Sequence, residues 1–324
     1  MTEQGLNITL GHIARHTPQG AGAQGREAAI IDVAQDLILR RLHEDGALEN
    51  LAFKGGTALR KLYAGSVGRF SLDMDFSVAQ IESDPDETMM NVIAAIDGVR
   101  IGPFLYSVVE RRGKWSITYE HDFGSTRTLS SKLDISPPPW LSPVFRGWVF
   151  MPIHKQYGIP ALPALKTVRL EENIAEKIAR LNRTTPARDM YDLAWIATNA
   201  GVTGELDKAL IRHLAVLKIW VDANGFHASN TWWKPGHESF PFDPAEWLRG
   251  RGKKSFDTED IGALATSVPT ARELSETVNK FYGFLLDLND EERQLAKIKE
   301  QDRPIALKLL SELPDCRLRK IKLY

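Results

Sequence analysis

The sequence predicts an α+β protein, a mixed α/β first half followed by a helical second half. Two observations predict it. Strand-like runs cluster between residues 51 and 135, whereas beyond a Pro- and Gly-rich junction at 140–165 the apolar pattern is almost wholly helical. At 324 residues the chain accommodates two domains, expected at 1–160 and 161–324.

Residues 1–25 read as a short polar lead-in. From Arg26 a helix is expected, with Ala29, Ile30, Val33, Leu37, Leu39 and Leu42 on its apolar face and Asp32, Asp36 and Arg40 outside it. Leu51–Lys54 is a short apolar run stopped by Gly55-Gly56. Thr57 then stands as N-cap of a helix over 58–63. In Arg69–Val78, Phe70, Leu72, Met74, Phe76 and Val78 alternate with Ser71, Asp73, Asp75 and Ser77, the pattern of a strand with one polar face. A helix near 89–95 precedes strands at 105–110, 115–119 and 129–135. Helices are expected at 170–181, 187–199, 205–221, 259–265, 270–288 and 290–300, interrupted by a Trp-rich loop from Trp232-Trp233 to Trp247.

Composition narrows the function classes. The chain is 43% hydrophobic and 26% charged, with a net charge of −1, so global basicity offers no argument for nucleic-acid binding. A single cysteine, Cys316, excludes an internal disulfide framework and a Cys-rich zinc module. It fits a reducing cytoplasm, the expected location. No signal-peptide pattern and no membrane-spanning apolar run is visible.

The constellation richest in chemistry is Lys54-Gly55-Gly56-Thr57 followed by Ser71-Leu72-Asp73-Met74-Asp75. A glycine turn into a helix exposes backbone N–H groups to a close anionic approach. Lys54, Arg60, Lys61 and Arg69 add four positive charges with no acid among them, a phosphate-binding corner. Asp73 and Asp75, two residues apart, are spaced to hold Mg²⁺ beside a triphosphate. Asp134, in the strand Lys132-Leu133-Asp134-Ile135, is a candidate third carboxylate for a two-metal site. A plain turn beside a solvated strand would also fit either piece alone.

A second constellation joins Lys177 and Arg180, one helical turn apart, to Asp189 and Asp192 on the next helix. A lysine suits a phosphate, and a nearby aspartate can orient it. A solvated helix face has the same look, with Glu176 and Arg180 as an i,i+4 pair. Other motif-like stretches lack a necessary part. Gly20–Gly25 matches G-x-G-x-x-G but has no buried strand before it. His12 and His16 lack the glutamate and third ligand of a zinc protease. No P-loop is present. The basic runs 249–254 and 317–322 are the best local candidates for RNA backbone contacts.

Phe53–Arg60 and Arg69–Phe76, then Ile174–Ile178 and Arg188–Leu193, resemble in order and type the motifs of the AbiEii/MenT nucleotidyltransferase toxins, a branch of the DNA polymerase β-like superfamily. The resemblance runs from Lys54 to Leu193. It implies a polymerase β-like domain with a mixed sheet flanked by helices, a helical C-terminal domain completing the cleft, and Mg²⁺-dependent nucleotide transfer from an NTP. Gly56 and Thr57 would hold the triphosphate by the family pattern; Lys54, Gly55, Arg60, Ser71 and Arg180 are further nucleotide-binding candidates. Asp73 and Asp75 would bind metal, Lys177 would contact phosphate, and Asp189 would be a further functional acid. The resemblance also implies the toxin of a type IV toxin–antitoxin pair, with a cognate antitoxin, an RNA acceptor such as the tRNA 3′ end, and a role for some members in phage defence. The stretch between Thr57 and Asp73 is longer than is usual in the superfamily, so base preference does not carry over. The alternatives are transfer to a small molecule, nucleotide binding without turnover, and a protein-interaction module with structural aspartates.

Overall fold

The structure, a computed structural model, describes residues 6–124, 126–158, 163–184, 186–225, 238–249, 261–264 and 267–317. The chain divides into two compact units. The first comprises Met1–Pro138, Pro143–Val168 and Gly262–Ser267. The second comprises Pro139–Ser142, Arg169–Ile261 and Val268–Tyr324.

The first unit holds helices α1 (Leu10–His16), α2 (Gly22–Glu44), α3 (Gly55–Leu59) and α4 (Pro85–Ile96). Its strands are β1 (Leu51–Lys54), β2 (Met74–Val78), β3 (Arg100–Ile101), β4 (Phe104–Arg111), β5 (Lys114–Glu120), β6 (Thr128–Ser136), β7 (Val144–Arg146) and β8 (Leu165–Thr167). They form one mixed sheet in the order β3-β4-β5-β6-β2-β1-β8-β7. β1 runs antiparallel to β2, and β2 parallel to β6. Every second residue of the central strands enters the core: Phe53, Met74, Phe76, Tyr106, Ile117, Tyr119 and Leu133 pack with α2 and α4. The intervening residues, Lys54, Asp75 and Asp134 among them, therefore share the opposite face.

The structure departs from the sequence reading where polar groups are satisfied from elsewhere in the fold. β2 begins at Met74, and Leu72 is 47% exposed, so the alternation does not extend back to Phe70. Residues 69–73 are irregular because their backbone is bonded outside the ladder. The Phe70 N–H donates to the Ala263 carbonyl, Gln35 Nε2 to the Ser71 carbonyl, and Thr57 Oγ1 to the Asp73 carbonyl. Thr57 is thus buried inside the helix rather than capping it. The helix starts at Gly55, behind an extended Lys54 that supplies no side-chain cap. The junction at 140–165 contains β7, a 3₁₀ turn at Pro152–Tyr157 and the first residue of β8, and the lead-in contains α1, capped by Thr9.

Asp32 and Asp36 are buried rather than outside the apolar face of α2. Their partners come from the π-helical turn Arg60–Ala64 that continues α3. Arg60 Nε lies 2.8 Å from Asp32, and Lys61 Nζ lies 2.5 Å from Asp32 and 2.6 Å from Asp36. His16 reaches Asp32 at 2.7 Å, while Tyr157 donates to Asp36 at 2.5 Å. Burial alone would push the Asp32 carboxyl up. Arg60 and Lys61 beside it, with the hydrogen bond to His16, outweigh that and hold it well below the usual range.

The second unit is helical: α5 (Leu170–Arg183), α6 (Ala187–Thr198), α7 (Ala200–Thr203), α8 (Lys208–Asn224), α9 (Pro244–Leu248), α10 (Ala271–Phe281), α11 (Asp290–Leu295) and α12 (Arg303–Glu312). The helix expected over 205–221 is cut at its start, because Asp207 caps α8 through the Leu210 N–H. Thr270 and Glu273 form a capping box for α10, which passes into a 3₁₀ turn at 282–286. Trp232 and Trp233 lie outside the described residues, as do most of the basic runs 249–254 and 317–322. Of the helix expected at 259–265, residues 261–264 are described and form no α-helix, the chain passing through Gly262 at φ +96°. Among the described residues no helix is long and apolar enough to cross a membrane.

Candidate active site

The site on the open face of the sheet is assembled by register. Lys54, at the end of β1, stands opposite Asp75 on β2, and Asp75 is matched on its other side by Asp134 on β6. Two acids and a lysine therefore sit side by side on three adjacent strands, about 4.8 Å apart per step. Asp73 adds a further negative charge just before β2.

The glycine turn closes on these acids. Gly55 has φ +77°, in the left-handed region, and a Cβ there would lie 2.6 Å from Asp75 Oδ2. A Cβ on Gly56 would collide with the Arg69 guanidinium and come within 3.0 Å of Ser71 Oγ. The two glycines thus let Asp75 on one side, and Arg69 with Ser71 on the other, reach the helix start. There the first N–H groups of α3 have no side-chain cap.

Burial pushes the Asp75 carboxyl up from its ordinary range. Lys54 and Lys132 pull it back, while the charges of Asp73 and Asp134 raise it further. Asp75 therefore feels both neighbouring carboxylates, and a cation would relieve that repulsion. The donors are all hard oxygens. Among the described residues no three acidic, His or Cys groups stand close enough to form a ready-made metal cage. The donor set fits a divalent ion held by one or two carboxylates and completed by substrate phosphates, the usual habit of Mg²⁺.

Two residues of the expected phosphate corner face elsewhere. Arg60 is 2% exposed, bound to Asp32 and to the carbonyls of Gly65 and Gly68, with its guanidinium 3.7 Å from the Phe70 ring centroid. Lys61 is fully buried against α2. Both serve the interior, which leaves Lys54 and Arg69 as the cations beside the glycine turn. A cavity of about 360 Å³ in the same unit lies instead around Arg60, Phe70, His12, His16 and Gln156, and none of the three aspartates lines it.

In the helical unit, Lys177 of α5 is bound to Asp189 at 3.1 Å and Asp192 at 2.9 Å on α6. All three are at most 3% exposed, so this is a buried ion cluster and not a solvated face. Arg180 joins it through Asp189 at 3.1 Å and keeps its side chain 42% exposed. A second buried cluster escaped sequence reasoning. Glu172 accepts the N–H groups of Trp140 and Leu141 and the ammonium of Lys218, which lies over the Trp140 ring. Its only sequence signal was an acid inside an apolar helical stretch.

Comparison with known proteins follows this geometry. The family described as nucleotidyl transferase AbiEii toxin of type IV toxin–antitoxin systems matches residues 37–311. Among solved structures, MenT4, a nucleotidyltransferase toxin from Mycobacterium tuberculosis H37Rv, superposes with a TM-score of 0.77 at 33% identity. The match covers 95% of this chain and 99% of that one. No curated protein sequence matches. With the family pattern spanning the sheet, the glycine turn, the paired aspartates and the helical unit alike, the chain belongs to the AbiEii nucleotidyltransferase toxins and is an enzyme of that class.

Proposed function

We propose that the protein transfers a nucleotide from an NTP to an RNA acceptor, with the tRNA 3′ end as the favoured target, in a Mg²⁺-dependent reaction in the cytoplasm. The observation that supports this reading is the register Lys54–Asp75–Asp134 with Gly55 packed on Asp75, which puts the glycine turn and the carboxylates on one face. The backbone N–H groups of Gly56 and Thr57, with Lys54, Arg69 and Ser71, bind the triphosphate. Asp73 and Asp75 hold the ion, and Asp134 stands beside them as the third carboxylate. When bound, the ion lowers the pKa of the attacking hydroxyl and neutralises the leaving pyrophosphate. The chain's own contribution is position and preorganised charge. In the helical unit Arg180, half-exposed and held by Asp189, supplies phosphate-binding charge, while Lys177, expected at a phosphate, is buried between Asp189 and Asp192 and acts by positioning Asp189. A cognate antitoxin restrains the activity, and phage defence is the physiological role we infer.

The test is incubation with labelled NTPs and total RNA, with and without Mg²⁺, for the wild type and Asp75→Ala. Loss of a metal ligand costs about 3–5 kcal/mol of transition-state stabilisation, a factor of roughly a hundred to several thousand in rate. Asp75 lies off the core face, so the variant should fold. Expression of the wild type without its antitoxin should slow growth, and Asp75→Ala should not. A folded, equally toxic Asp75→Ala would overturn the proposal.

A further inference from the structure

The glycine turn takes up the β1 side of Asp75. The β6 side leads onto three further strands whose open face is not part of the core. The register there is explicit. Ser116 on β5 pairs with Lys132 on β6, and Trp115 pairs with Leu133, so Lys114 stands at the level of Asp134. On the next strand Arg111 pairs with Lys114, and Val109 with Ser116.

Trp115, Ile117 and Leu133 belong to the core face. Alternation therefore puts Arg111, Lys114, Ser116 and Lys132 on the same open face as Asp75 and Asp134. Arg111, Lys114 and Lys132 are all exposed, and Lys132 Nζ comes to 3.6 Å from Asp134. The β4–β5 hairpin turns through Arg112 and Gly113, both at positive φ, which fixes Arg111 and Lys114 side by side at its end.

Apart from Asp134 itself, toward which the row leads, the acids of these strands lie away from it. Glu110 falls on the alternate face, where its carboxylate accepts the Gly113 N–H. Glu120 is at the far end of β5. Ser116, Thr118 and Ser130 continue the face with hydroxyls.

We propose that Lys132, Lys114 and Arg111 form a phosphate track along which the single-stranded end of a nucleic-acid acceptor is laid toward Asp134. The proposal rests on the transfer reading above and adds where the acceptor lies and which side chains hold it. Three cations on three adjacent strands span roughly 10 Å across the sheet. That suits successive phosphates of a strand and exceeds what a compact small-molecule acceptor needs. A net charge of −1 is no obstacle, because the positive charge is local and runs outward from the acids. The arrangement also sorts the substrates. The triphosphate binds on the glycine side of Asp75 and the acceptor on the β6 side, so the reacting groups meet over the carboxylates.

The test uses the full chain and a fluorescent single-stranded RNA oligonucleotide. The variants are the double charge reversal Arg111→Glu with Lys114→Glu, and the conservative exchange Arg111→Lys with Lys114→Arg. The reversal should weaken RNA binding at least tenfold. It should make the plot of log affinity against log salt shallower by about 1.4, two contacts at roughly 0.7 each for a single strand. It should raise the acceptor KM while NTP binding and the melting temperature stay at wild-type values. The conservative exchange should restore RNA affinity. Unchanged RNA affinity and salt slope in the folded reversal would overturn the track, as would a wild type that binds no RNA. Retained RNA binding with lost neutralisation by an acidic antitoxin would make the strip a protein interface and equally overturn it. A wild type that binds RNA through this strip but transfers nothing to it would overturn the transfer reading and leave the track standing.

Discussion

Gly55→Ala tests the site with one methyl group. The residue sits at φ +77°, where an L-residue costs about 1–2 kcal/mol. Its new Cβ would meet Asp75 Oδ2 at 2.6 Å. That is about 0.8 Å inside ordinary contact, so the carboxylate has to move by a comparable distance. A displacement near 1 Å of a positioning group costs on the order of a hundredfold in rate. The variant should therefore unfold about 1–2 kcal/mol more easily in urea yet remain folded at 25 °C, with transfer to RNA down roughly a hundredfold. The assay pairs urea unfolding with single-turnover transfer from labelled NTP at saturating Mg²⁺. Gly46→Ala is the control, because Gly46 has the same φ of +77° but its Cβ would meet nothing closer than 3.8 Å. It should show the backbone cost without the catalytic one. Equal activity in Gly55→Ala and the wild type would refute the placement of Asp75 at the reacting centre. Equal activity loss in both variants would show that backbone strain, not the carboxylate, is responsible.

Other perturbations have calculable signs. Because the folded state raises the Asp75 pKa, its ionisation destabilises the fold as pH climbs through that value; metal-free Asp75→Asn should be at least as stable as wild type at pH 7. The same variant should lose the Mg²⁺-induced stabilisation, about 1.4 kcal/mol at ten times the Kd, read as a thermal shift. Asp32 has the opposite sign: its depressed pKa gives stability above the ordinary value of 3.8 that disappears as pH falls through the folded value. Asp32→Asn strands Arg60 and Lys61, should cost about 3–5 kcal/mol at pH 7, and should flatten melting temperature against pH below pH 4. Lys177→Met should cost a similar amount in urea unfolding by leaving Asp189 and Asp192 uncompensated, and adding Asp189→Asn and Asp192→Asn should recover part of it.

The legible parts of the sequence were those governed by local pattern. Alternation in 105–110, 115–119 and 129–135 fell within β4, β5 and β6, because each strand buries one face against α2 and α4. The glycine turn and Asp75 were legible too, and the structure sets one against the other. What local pattern could not carry was long-range pairing. Nothing near Asp32 in sequence announces Arg60 and Lys61, so a buried charge on α2 reads as a surface one. The same blindness made Lys177, Asp189 and Asp192 look like a helix face. Leu72 misled in the other direction: its place in an apolar alternation pointed inward, but the backbone there is bonded by Gln35, Thr57 and Ala263 and never joins the sheet. The cationic row on β4–β6 was invisible because its members come from three strands and meet only through register.

The stretch Lys54-Gly55-Gly56-Thr57-Ala58-Leu59-Arg60-Lys61 looks like one signature but is two devices fused end to end. Its glycines make room for Asp75, Arg69 and Ser71, and its last two residues neutralise α2 from within. The two halves therefore answer to different selection. A descendant that had lost Asp73 and Asp75 would still have to keep Arg60 and Lys61 to fold. Retention of that basic pair in a sequence is evidence of shared architecture. Evidence of a working enzyme has to be sought elsewhere, on the sheet face where Gly55 leaves room for Asp75.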